Sequence, residues 1–317
     1  MERRNFIKSA SILSTALVTP IWASAFSTFK AREFKISLNP GMIGVKANLA
    51  QTLDYAIKYG FEAISPSTQE VMADYSDSQL EEHKAKMKAH GISYCSNNIP
   101  VEFRKDNDTF KEGFQGLKKF CKAMEKQGAT RMNTWIISSH SDLTYTQNMK
   151  QHGKRLGECA KVMEDHGIKF GLEYLGMRTM LNQNRYPFIS SMEECRDLIA
   201  ATGQGNVGFV LDSFHWYCAG ETIEDIRSLK KEEIVVVDIN DARSGLTRET
   251  QVDGKRELPL ATGVIPMKDF MQGLKDIAYD GTVRTEPFNQ ELNQMEDSKA
   301  LDLNIQAMKK TIALVEE

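Results

Sequence analysis

Four acidic residues, Glu173, Asp212, Asp238 and Glu286, stand at or near the ends of short aliphatic, β-rich runs: Lys169 to Tyr174, Val207 to Asp212, Ile234 to Ile239 and Thr282 to Glu286. A carboxylate at the inner end of a strand is costly to bury alone, and four together repel one another. Something cationic belongs among them. A divalent metal is the economical answer, and pairing with Arg243, Arg256 or Arg284 is the alternative. His215, three residues after Asp212, adds an imidazole to the group. Carboxylates around a divalent cation suit a reaction in which a carbonyl is polarised and a proton is moved.

Positioning these groups requires a regular frame, and the rest of the chain supplies one. Short β-rich runs at Phe34 to Leu38, Phe61 to Ile64, Ile92 to Cys95 and Arg131 to Ile137 precede the four above, giving eight in all. Between them lie charged amphipathic stretches such as Gln79 to His90, Phe110 to Gln127 and Gln147 to His166, with apolar residues three and four apart. Gly60, Gly91, Gly128, Gly167 and Gly281 fall where a left-handed cap would end a helix before the next strand. Met295 to Glu317 reads as a final helix. Repeated strand and helix units without a linker predict one parallel sheet, and eight of them predict a single (β/α)8 barrel, an α/β fold. Such barrels carry their chemistry at the carboxyl ends of the strands, where the acids fall.

Residues 1–25 read as a signal peptide. Arg3, Arg4 and Lys8 precede an uncharged apolar run, Ala23-Ser24-Ala25 is a small-x-small cleavage pattern, and Arg3-Arg4-Asn5-Phe6-Ile7-Lys8 is similar to a twin-arginine signal. The expected location is therefore the periplasm, with residues 26–317 as the barrel domain. Pro20 interrupts the apolar run, so no stable membrane insertion is expected after cleavage. The leader holds three Lys/Arg and one Glu, so the formal charge of −3 becomes −5 in the remainder, and nucleic acid is excluded as a partner. The five cysteines form no CxxC pair and read as small buried hydrophobes. His83, His90, His152 and His166 fall in helical runs and are expected at the surface.

The ordered set Gly171-Leu172-Glu173, Asp212-Ser213-Phe214-His215 with Gly220, Ile239-Asn240-Asp241-Ala242 and Thr285-Glu286-Pro287-Phe288 resembles the xylose isomerase-like TIM barrel superfamily, especially its sugar phosphate isomerase/epimerase branch. The resemblance spans essentially the whole chain after the leader. It implies that Glu173, Asp212 and Glu286 are ligands of a divalent cation and that His215 faces the substrate. Where the family commonly has His, this chain has Asp238, which turns a fourth ligand into an oxygen donor. An all-oxygen set favours Mn or Mg over Co or Zn. Asp238 and Asn240 share a strand face, and Asp241 looks the other way. A second departure is Leu260-Ala261, where relatives often carry Gly-Glu.

The resemblance implies an isomerase or epimerase acting on a carbohydrate through an enediolate, with Glu173 and Glu286 exchanging protons at opposite sides of the substrate. Arg243, Arg256, Trp216 and His140 are the candidate substrate contacts. Export points to an unphosphorylated sugar, and barrels of this kind often form homo-oligomers. Two alternatives stand beside this reading. One is a metal-dependent lyase that eliminates the aglycone of a keto-glycoside, and the other is a non-catalytic exported sugar-binding protein. A phosphodiesterase of the apurinic endonuclease type would need further histidines than the strand ends provide.

Overall fold

The computed structural model describes residues 32–316, so the leader expected over residues 1–25 lies outside the described residues. Eight parallel strands alternate with helices: β1 Lys35–Leu38, β2 Ala63–Ile64, β3 Ser93–Tyr94, β4 Arg131–Ile136, β5 Lys169–Tyr174, β6 Val207–Asp212, β7 Ile234–Ile239 and β8 Thr282–Thr285. Their order in the sheet is β3-β2-β1-β8-β7-β6-β5-β4, followed by the ninth segment Asn97–Asn98. That segment follows β3 in the chain after only Cys95 and Ser96, and it pairs with Met132 and Asn133 of β4. One interrupted stretch therefore touches both ends of the ladder, giving a TIM-barrel-like α/β fold.

The strands are shorter than their apolar runs where a helix ending takes residues away from the ladder. Phe61 N–H bonds Ala56 O and Ile92 N–H bonds Met87 O, so both complete the preceding helical turn instead of pairing. Gly60 and Gly128 cap the helices Leu49–Tyr59 and Asn107–Gln127 at φ of 82° and 86°. Gly281 does not share that role. It has no positive φ; a Cβ there would stand 2.3 Å from the Tyr279 hydroxyl, so glycine is required by contact rather than by conformation.

Two apolar layers result. The large outer one packs helices on the sheet, and a small inner one, Cys95, Val210 and Val236, fills the space between strands. All five cysteines are free and buried. His83 and His152 are buried too, against the expectation of a surface position. His83 packs between the rings of Tyr75 and Tyr94, and His152 lies between Phe103 and Phe188 with Nδ1 3.2 Å from Asn148 O. Aromatic neighbours and a backbone partner make a neutral imidazole acceptable inside. No helix among the described residues is long and apolar enough to cross a membrane.

Gly176, just past β5, carries a testable constraint on the site. A Cβ there would stand 2.3 Å from the carbonyl oxygen of His215 and 2.9 Å from the amide nitrogen of Ala219. Both are backbone atoms, so the helix Ser213–Ala219 must move. Gly176→Ala is expected to cost about 1–3 kcal/mol of stability and to lower turnover by displacing His215, measured by thermal unfolding beside an activity assay.

Candidate active site

The Asp-x-x-His spacing has a local structural cause. Asp212 ends β6 and caps the next helix: its Oδ1 accepts N–H bonds from Phe214 at 2.6 Å and His215 at 3.4 Å. The first turn of that helix then carries His215 over the acids. In β7, Asp238 pairs in register with Asp212 on one side and Arg284 on the other, so three charged side chains share one level. Asn240, two residues on, donates from Nδ2 to Asp212 Oδ2 at 3.0 Å and accepts the Glu286 N–H at 2.7 Å. That bond takes Glu286 out of the β8 ladder and fixes its side chain at the mouth. Asp241 faces the opposite way, as strand alternation requires, and accepts N–H bonds from Ala242, Thr262, Gly263 and Ile265.

Inside this frame, one carboxylate oxygen each from Glu173, Asp212, Asp238 and Glu286 lies within 4.8 Å of the others. All four residues are buried. Two guanidinium groups sit among them. Arg284 forks onto Asp238, with Nε 2.6 Å from Oδ1 and Nη2 3.0 Å from Oδ2. Arg256 reaches in from the loop after β7: Nη1 is 2.7 Å from Asp212 Oδ2 and 3.0 Å from Glu286 Oε2, and Nη2 is 2.5 Å from Asp253 Oδ1 and 3.0 Å from His215 Nε2. Its guanidinium carbon lies 4.7 Å from the Phe214 ring centroid and 4.8 Å from that of Phe288. Phe288 adopts a φ of 39° to stand there, and Leu260, in the loop after β7 that carries Arg256, has a φ of 66°, the left-handed region that glycine enters most readily.

The charges remain unbalanced. Five acids, counting Asp253, face two arginines, and Glu173 Oε1 is buried without a hydrogen-bond partner. Burial, then the negative charge of Glu286, holds Glu173 well above its ordinary value. Burial and then Asp238 push Glu286 to about 8. Burial raises Asp212 to about 6, with Arg256 restraining the rise. Burial opposes the charge on Arg256, yet Asp212, Asp253, Glu286 and Glu173 outweigh it and hold the guanidinium firmly protonated. His215 is pushed down to about 3 by burial and then Arg256. It is therefore neutral, and because Nε2 accepts from Arg256 the proton is assigned to Nδ1, which has no partner.

The raised carboxyls set the sign of the pH effect, which the lowered His215 opposes and only partly offsets. Carboxyls raised in the folded state contribute stability that is complete below their ordinary range, near 4, and lost as pH rises through about 6 for Asp212 and about 8 for Glu286. The metal-free protein is expected to melt at a higher temperature at pH 5 than at pH 8.5. Calorimetry over that range in the presence of a chelator tests it.

The donor set fits a divalent cation: buried oxygens converge, one Glu173 oxygen lacks a partner, and negative charge is in excess. Asp238 enters this cluster with both oxygens engaged by Arg284. The expected substrate contacts separate. Arg256 lines the same cavity as Glu173, His215 and Glu286, which has a volume of about 480 Å³. Trp216 is packed on Phe270 with its indole N–H on Thr222 O, so it serves the core. Arg243 is exposed and lies 3.5 Å from Glu257. His140 uses Nδ1 to accept the N–H groups of Asp142 and Leu143 beside a different cavity. Sequence reasoning missed Asp253, Asn98, Asn133 and Trp135, all of which line the cavity. Strand alternation along β4 would have found Trp135 and Asn133, which share a face.

Residues 53–311 match the xylose isomerase-like TIM barrel family. An inosose isomerase from Bacillus velezensis is 23% identical over 259 residues, covering 81% of this chain and 89% of that one. A D-psicose 3-epimerase from Ruminiclostridium cellulolyticum is 24% identical over 253 residues, covering 77% and 79%. The solved structure of the IOLI protein with a zinc atom superposes with a TM-score of 0.73 at 23% identity, covering 89% of this chain and 98% of that one. With its parallel strands and its acids at their carboxyl ends, the chain belongs to the xylose isomerase-like TIM barrel family and is an isomerase/epimerase enzyme.

Proposed function

We propose that the protein is a divalent-metal-dependent isomerase or epimerase that moves a proton on the carbon next to the carbonyl of an unphosphorylated carbohydrate. The observation that carries this reading is the placement of Glu173 and Glu286 on one cavity, each held above its ordinary carboxyl range by burial. Without a cation both hold protons near neutral pH; a divalent cation bound beside them would lower them, so that one member would serve as base while the other, still protonated, would serve as acid. The ionised glutamate removes the carbon-bound proton, and its protonated counterpart returns one. Neutral His215 turns Nε2 toward Glu173 Oε1, 3.7 Å away, and toward Arg256 Nη2 at 3.0 Å, so it positions both groups beside the substrate. Arg256, clamped between Phe214 and Phe288, holds Asp212, Glu286 and Asp253 in place and presents positive charge to the enediolate.

When bound, a divalent cation held by Glu173, Asp212 and Glu286 would polarise the carbonyl and offset the charge that develops on it. The zinc of the IOLI structure supports a cation here, and the oxygen donors favour Mn or Mg. Asp238 acts in this reading as the counter-ion of Arg284. The inosose isomerase and D-psicose 3-epimerase relatives support a polyhydroxylated keto substrate. Export of residues 26–317 to the periplasm, with residues 1–25 as leader, is part of the proposal and rests on the Arg3-Arg4 pattern and the apolar run after it.

The test is carbon-bound deuterium. In D2O with Mn or Mg, the enzyme is expected to exchange the proton next to the carbonyl of an inosose or a ketohexose, seen by NMR, and a chelator should stop the exchange. Absence of exchange from every keto-sugar tried would refute the proposal.

A further inference from the structure

The cavity is larger and more apolar than a bare sugar needs. A six-carbon sugar packed at interior density occupies on the order of 200 Å³, against about 480 Å³ here. The acids, His215 and Arg256 occupy one part of the lining, and Asn98, Asn133 and Gln183 add polar contacts. The rest is Met42, Trp135, Ile137, Leu175, Met180 and Phe288. Hydroxyl groups of a free sugar set against that wall would lose their hydrogen bonds to water and gain none.

Trp135 stands out within the wall. It pairs in register with Glu173 across β4 and β5, so the indole stands beside a proposed proton carrier. It is 43% exposed, and Ile137, two residues further along the chain, is 36% exposed, unusual for large apolar groups lining a cavity. The indole is also held in place. The Arg104 guanidinium carbon lies 4.4 Å from its ring centroid, and Nη2 of the same arginine donates to Trp135 O at 2.5 Å and to Thr134 Oγ1 at 2.8 Å. A rigid, wet indole next to the reacting centre is a contact surface prepared for something apolar.

We propose that the substrate is a carbohydrate bearing an apolar substituent of about the size of an aromatic ring, which lies on Trp135 and against Ile137 and Met180 while the sugar faces Glu173 and Glu286. This rests on the carbohydrate reading above and adds the chemical class of the group attached to the sugar.

The experiment compares phenyl and methyl β-D-glucosides as binding probes by calorimetry, using wild type and Trp135→Ala, with thermal melts to show that both are folded. Phenyl glucoside is expected to bind wild type about tenfold or more tightly than methyl glucoside, and Trp135→Ala should bring that ratio close to one. Equal binding of the two probes, binding of neither, or a ratio that survives Trp135→Ala would each overturn the proposal. Ile137→Ser gives a second variant should Trp135→Ala unfold, and it should lower the ratio in the same direction. The deuterium exchange assay on unsubstituted keto-sugars separates the two readings. Exchange without phenyl preference sinks the substituent alone, whereas phenyl preference without exchange from any keto-sugar sinks the isomerase reading alone.

Discussion

Glu286→Gln and Glu173→Gln are each expected to lower carbon-bound deuterium exchange by about 10²–10⁴-fold, the usual contribution of a positioned proton carrier. Glutamine keeps the shape and the Asn240 to Glu286 backbone bond, so the fold should survive. Removing one negative charge from a crowded, buried cluster should even raise the melting temperature at pH 8. The double variant should be little worse than either single one, because the two residues act as a unit and their losses do not add. Exchange rates for the three variants beside thermal melts check this. A Glu286→Gln enzyme that retains more than a tenth of wild-type exchange would remove that residue from the proton path.

The second large effect is expected from Arg256→Gln. The wild-type guanidinium satisfies Asp212, Glu286 and Asp253 at once, in a place where its side chain is 1% exposed. Losing one partner of a buried ionic group costs about 3–5 kcal/mol. Here the cost has a pH signature. Without Arg256, Asp212 and Glu286 rise further above their ordinary range and Asp253 loses the charge that holds it below, so the loss is largest near pH 8 and shrinks as protons neutralise the acids toward pH 5. Added Mn should return part of the loss at pH 8 by supplying the missing positive charge. Denaturant unfolding at the two pH values, with and without Mn, measures all three terms. A loss independent of both pH and metal would show that Arg256 is only a packing residue.

Strands β5, β6 and β7 were legible to the residue, because each is a continuous apolar run bounded by a helix ending and a polar loop. Glu173, Asp212 and Glu286 were legible for the same reason: an acid that closes such a run has few places to go. The pairing with Arg256 and Arg284 stood in the sequence only as an alternative to a metal. Choosing between them needs register, and register placed Asp238 opposite Arg284 across 46 residues of chain. Hydrophobic alternation gives a side chain its face but not its neighbour on the next strand. The buried histidines escaped for a related reason. His152 occupies an amphipathic helix whose inward stripe includes polar residues, and only its aromatic neighbours make that position tolerable. Trp216, Arg243 and His140 were placed near the chemistry by closeness along the chain, which a strand end followed by a helix quickly undoes.

Asp241 receives the N–H groups of Ala242, Thr262, Gly263 and Ile265, and its own backbone pairs with Glu257. A single residue thus ties down both roots of the excursion that carries Asp253 and Arg256. Gln251, fully buried and bonded to both backbone groups of Arg243 and to Thr179, belongs to the same anchor, whereas the exposed residues 244–250 are expected to exchange as a cassette while the barrel beneath stays intact. Altering the range of accepted sugars in this scaffold would begin there, by trading residues 244–250 between homologues and leaving Asp241 and Gln251 alone.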